Sequence, residues 1–174
     1  MPDPLYNAES EMGSVERFLS RLPGIEDYRQ KEMRRDADKQ VREMLARRLD
    51  TRRRKLTSMQ NDLLVAGGLQ WVDDLERVVG RIQLLTDRVK TAAYGYAPLF
   101  SLNRVRQDDL DRIMAFDRAL FGELGGLDAA IGSLETAVAN RAGIGEALGA
   151  VGHHLSDLNE AFARRAEVIQ NIAE

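Results

Sequence analysis

Four runs of apolar residues, each spaced by alternating threes and fours, constrain this chain more than any other feature. Such spacing keeps side chains on one face of an α-helix, and over several heptads it is the pattern of helices that bundle or supercoil. The first run extends from about Ile25 to Ala66, carries Leu45, Leu49, Leu56, Met59 and Leu63, and stops at Gly67-Gly68. The second, from about Leu69 to Ala97, carries Val72, Leu75, Val79, Ile82, Val89, Ala93 and Tyr96. The third starts near Gln107-Asp108 and gives Leu110, Ile113, Leu120, Leu124, Leu127, Ile131, Leu134 and Val138. The fourth follows Gly143 and gives Ile144, Leu148, Val151, Leu155, Leu158, Phe162, Ile169 and Ile172. Secondary stripes (Val78 and Leu85; Met114 and Phe121) widen these faces beyond a two-stranded seam, as a bundle requires.

Short turns between long helices make neighbours antiparallel, so the expected fold is all-α: an antiparallel long-helix bundle or folded coiled coil of about four helices. A short amphipathic helix over Ser14–Leu22, closed by Pro23-Gly24, is expected before it. Residues 1–13 read as a flexible arm and 14–174 as one helical domain. At 1.5 Å per residue the first helix reaches roughly 60 Å and the others roughly 45 Å, which predicts that part of the first projects as a free basic limb. Four glycines in the third run (Gly122, Gly125, Gly126, Gly132) leave two readings, one bent helix or a break at Gly125-Gly126; the first is preferred.

Composition removes several classes of function. The 174 residues include no cysteine, which excludes disulfides, thiolate metal sites and cysteine nucleophiles and fits a cytoplasmic protein. The N-terminal MPDPLYNAESEMG has neither a basic start nor an apolar run, so it does not read as a signal peptide. No apolar stretch is long enough to span a bilayer. A net charge of −3 conceals an asymmetry: Arg29–Lys55 holds twelve Lys/Arg against five Asp/Glu, and Gln107–Glu174 holds five against twelve. The two halves can attract each other or outside partners.

Three of the ten aromatic residues, Tyr94, Tyr96 and Phe100, cluster in TAAYGYAPLF, where Pro98 should end the second helix. They read either as a cap folded over the bundle end or as a docking surface. LPGIEDYRQKE, the basic helix, AAYGYAPLF and AFARRAEV, in that order, together resemble a group of uncharacterised bacterial helical-bundle proteins with a Tyr-Gly-Tyr-Ala corner. That resemblance, over about Phe18 to Val168, implies the same architecture and supplies no mechanism.

Arg52, Thr86 and Asp117 occupy stripe positions that an apolar side chain would otherwise take. Counted outward from Ser101, Thr86 and Asp117 fall at one level, with Arg52 about a turn away. The expectation is a buried polar layer, with Arg52 paired to Asp117 and Thr86 satisfying a leftover bond, whose role is to fix helix register. A di-metal helical enzyme needs Glu-x-x-His on two helices; the only histidines are His153 and His154, preceded at that distance by Ala150 and Val151. Adjacent helical positions diverge by about 100°, so the pair reads as polar surface. Phosphate-loop and nucleophile-elbow patterns are absent from the sequence. Neither a catalytic or metal site nor a cofactor or small-molecule substrate is therefore expected.

The run RRLDTRRRKLTSMQ is the strongest candidate for an outside contact, through Arg53, Arg54 and Lys55. Its simpler reading is pairing with acidic faces such as Asp73-Asp74 or Asp108-Asp109-Asp111. Nucleic acid is disfavoured, since no aromatics interleave with the basic residues. The expected function is a non-enzymatic interaction or scaffold protein with protein partners, self-associating through apolar stripe left uncovered on the long first helix. The alternative is a peripheral protein binding anionic membrane through that helix.

Overall fold

The computed structural model describes residues 31–92 and 106–173, and these are almost entirely helical. Four helices follow one another: α1 (Lys31–Ala66), α2 (Val72–Thr91), α3 (Gln107–Asn140) and α4 (Ile144–Ala173), with a 3-10 turn (Leu69–Trp71) leading into α2. The expected all-α bundle is what the chain forms. The N-terminal arm, the Ser14–Leu22 helix and the Tyr94, Tyr96 and Phe100 corner lie outside the described residues.

The ends of the helices follow from local chemistry. Gly67 adopts φ +79°, and the Gly68 amide donates to the Leu63 carbonyl at 2.8 Å. That six-to-one bond closes α1 with a left-handed residue that glycine adopts without steric cost. The end of α3 has the same geometry, with the Ala142 amide on the Ala137 carbonyl at 3.1 Å, but its left-handed residue is Arg141, at φ 54°. A side chain in that conformation costs roughly 1 kcal/mol. Arg141→Gly should therefore raise the unfolding free energy by about that amount, as read from a urea melt; no change would mean that Arg141 earns its place through contacts of its side chain. The glycines of α3 do not break it: the helix is continuous through Gly125 and Gly126.

Helices α1 and α2 form one hairpin, and α3 and α4 the other, each with its most extensive packing internal. The hairpins join along two seams, α1 against α3 and α2 against α4. Along the first, Arg48 meets Phe121, Arg52 meets Asp128 and Lys55 meets Glu135, so residue numbers rise together and the two helices run parallel. Along the second, Arg81 meets Ser156 and Arg88 meets Asn159, again parallel. Antiparallel packing holds within each hairpin, and α2 and α3, though consecutive among the described helices, stand diagonally across the bundle.

The stripes meet at the centre. Leu49, Leu56, Leu75, Ile82, Leu120, Leu124, Leu127, Leu134 and Leu158 are all fully buried, each contributing about 2 kcal/mol against exposure. On α1 the stripe from Val41 to Leu63 is covered within the single chain, so over that length the helix is not a projecting limb. Large apolar side chains remain exposed at Leu64, Val65, Leu69 and Leu84.

Candidate functional sites: a buried charge cluster and a cationic groove

The three stripe residues singled out as polar are all buried: Arg52, Thr86 and Asp117. They do not form one layer. Arg52 donates to Asp128 of α3 and to the Arg48 carbonyl of its own helix. Asp128 is eleven residues beyond Asp117, roughly 16 Å along α3, so Arg52 is out of reach of Asp117. Thr86 donates to the Ile82 carbonyl at 2.7 Å, satisfying itself within α2. Two residues further on, Arg88 bonds Asn159, which lies six residues short of Arg165, the residue that meets Asp117. Thr86 therefore sits about eight residues, roughly 12 Å, from the Asp117 level. Counting from Ser101 treats α2 and α3 as a symmetric hairpin; their diagonal placement invalidates that count.

The partner of Asp117 is Arg165 of α4, which is 2% exposed and among the largest fully buried side chains. Its Nε donates to Asp117, while its Nη1 donates to Asp38 of α1 at 3.0 Å. Asp38 also accepts from Arg42 Nε at 2.7 Å, and Arg42 Nη1 reaches the Lys90 carbonyl at the end of α2. Two carboxylates and two guanidiniums thus link all four helices near one end of the bundle. Arg165 spans the diagonal from α4 to α1, a pair with little backbone contact.

Burial pushes the Asp117 carboxyl above its ordinary value of 3.8; Arg165 opposes the rise and the neighbouring Asp38 carboxylate adds to it. A raised carboxyl binds its proton more tightly in the folded chain than in the unfolded one. Its ionisation therefore works against the fold, and its contribution to stability falls as pH rises from that ordinary value through the raised one. The difference in unfolding free energy between Asp117→Asn and the parent should shift toward the asparagine across that window. Urea melts at several pH values check this, and a difference flat with pH would exclude it.

The basic run of α1 divides into two sets. Arg48, Arg52 and Lys55 point across the seam to α3, where Arg48 lies 5.5 Å from the Phe121 ring and Lys55 is 2.7 Å from Glu135. Arg53 and Arg54 turn back on Asp50, at 3.0 and 2.6 Å, and hold its carboxyl below the usual range. From Arg52 to Lys55 the run is thus paired internally through Asp50, Asp128 and Glu135, and Asp74 pairs within α2 with Arg77.

Beside Asp50 opens a groove of about 770 Å³, lined among others by Lys39, Arg42, Arg47, Arg54 and Lys90, with Glu43 and Asp50 as its carboxylates. The Arg42 charge is taken up by Asp38 behind it. The remaining four cations outnumber the carboxylates by two, and the Lys39, Arg47 and Arg54 side chains are 66–78% exposed. Of the sequence candidates, Arg54 lines this groove, Arg53 is half-buried beside it and Lys55 belongs to the seam. Comparison of the chain with protein families, curated proteins and solved structures finds no match.

Proposed function

We propose that the chain is a non-enzymatic helical interaction protein that docks an acidic segment of a protein partner in the groove along α1. The observation that carries this reading is the concave surface with surplus exposed cations on a helix whose apolar stripe is packed from Val41 to Leu63. Charge complementarity of this kind sets the rate and selectivity of encounter more than raw affinity. Self-association is a weaker reading, because the α1 stripe that would have sought a second copy is covered from Val41 to Leu63.

Anionic membrane is also less well supported. The exposed apolar residues Leu64, Val65 and Leu69 lie at the far end of α1, next to exposed Asp62 and Asp73. No described helix is long and apolar enough to cross a bilayer. Anisotropy with a labelled poly-glutamate peptide at low and high salt tests the proposal. Binding that salt weakens, and that Arg47→Glu/Arg54→Glu reduces by about tenfold or more, is the expected result. Binding indifferent to the double reversal would overturn it. Salt-sensitive flotation on anionic vesicles with no peptide binding would replace the protein partner by a lipid surface.

A further inference from the structure

A second constellation lies on the contact between α3 and α4, away from the groove. His154 and Asp157 are three residues apart on α4 and so share one face of that helix. Glu123 of α3 reaches the same point, and one donor atom from each of the three residues lies within 4.8 Å of the others. All three residues are half-buried.

The imidazole of His154 is seated by a gap in α3. A Cβ at Gly126 would stand 2.8 Å from its Cε1 and 2.9 Å from its Nδ1, so only a glycine leaves room for the ring where it lies. Nδ1 is buried with no hydrogen-bond partner, which is uncommon for a ring nitrogen in a packed site. Among the described residues Glu123 has no cationic partner, and Asp157 has only the imidazole of His153, 3.4 Å away.

We propose that Glu123, His154 and Asp157 form a binding site for a divalent transition metal of the Zn²⁺ type, joining α3 to α4. One imidazole nitrogen and two carboxylate oxygens are ordinary ligands for such an ion, and two negative charges neutralise it. The imidazole favours zinc, cobalt or nickel over calcium and magnesium, which prefer all-oxygen shells. At metal–ligand distances of about 2.0–2.2 Å, tetrahedral donors stand roughly 3.3 Å apart. The observed spacing closes to that by rotation of the carboxylate ends. Three protein ligands leave a fourth position for water, and the exposed His153 steadies the Asp157 carboxylate from outside, as outer-shell partners do.

Titration of the full chain with Zn²⁺ by calorimetry, and with Co²⁺ by visible absorption, tests the site. One ion per chain, a four-coordinate cobalt spectrum and a rise in melting temperature with Zn²⁺ are expected. His154→Ala and Glu123→Gln should each weaken binding by about tenfold or more. The decisive variant is Gly126→Ala, which keeps every ligand but fills the space the imidazole occupies. It should retain its melting temperature without metal and lose Zn²⁺ binding. Zn²⁺ affinity unaltered by Gly126→Ala would replace this site by surface histidine chelation. No stoichiometric binding at all would also overturn it.

Discussion

Replacing Arg165 with methionine should lower the unfolding free energy by about 3–5 kcal/mol, the range found when one partner of a buried charge network is removed. The loss comes from what remains rather than from what leaves. Asp38 and Asp117 would face each other across the bundle with one guanidinium, Arg42, bonded to only one of them. Methionine fills most of the volume, so the change reports electrostatics more than a cavity. Arg164→Met is the control: that side chain is 62% exposed and among the described residues pairs only with Glu160 of its own turn, so its removal should cost under about 1 kcal/mol. Urea melts of both variants decide the matter. Equal midpoints would mean that the bonds of Arg165 to Asp38 and Asp117 contribute no more than a surface ion pair.

Much of this fold is written in the spacing of its apolar residues. Gly67-Gly68 and the Arg141–Gly143 turn stop their helices where the stripes stop, and the buried leucines are those of the stripes. Burial of Arg52, Thr86 and Asp117 follows from the same rule, because a stripe position stays at the core whatever residue fills it. Applied once more, the rule also reaches the residues that were missed. Asp38 stands three before Val41, and Arg165 stands three after Phe162 and four before Ile169, each in the rhythm of its stripe.

The pairing among these groups was not legible, and the reason is geometric. A single stripe fixes which face a residue occupies but carries no information about which helix stands beside which. Asp117 is brought to Arg165 by the α3–α4 hairpin, and Arg165 to Asp38 by the diagonal crossing. The metal-ligand trio has the same character. In the sequence His154 reads as polar surface; its three-residue spacing from Asp157 sets both on one helix face, whereas Glu123 and the space at Gly126 depend on the register between α3 and α4. The acidic run Asp108-Asp109 did not locate the partners of Arg52 to Lys55, which are Asp50 on α1 itself and Asp128 and Glu135 across the seam.

The second large effect runs the other way. Replacing the whole cluster at once, by Asp38→Leu, Arg42→Met, Asp117→Leu and Arg165→Met, should leave the protein as stable or make it more stable by about 1–4 kcal/mol. Removing all four charges leaves none of them buried without its counter-charge, and the desolvation cost disappears together with the attraction that offsets it. The raised carboxyl of Asp117 points to the same balance, since burial outweighs the pull of Arg165 on that group. A cluster that does not add net stability can still select one arrangement. It is satisfied only when α1, α2, α3 and α4 meet in a single register, whereas leucines tolerate a heptad slip between hairpins. The fourfold variant should therefore melt at equal or higher urea while its amide spectrum shows multiple or broadened resonances for the seam residues Arg48, Arg52 and Lys55. A loss of several kcal/mol would show instead that the charges hold the bundle together. A single sharp set of resonances at high stability would show that the apolar stripes fix the register unaided.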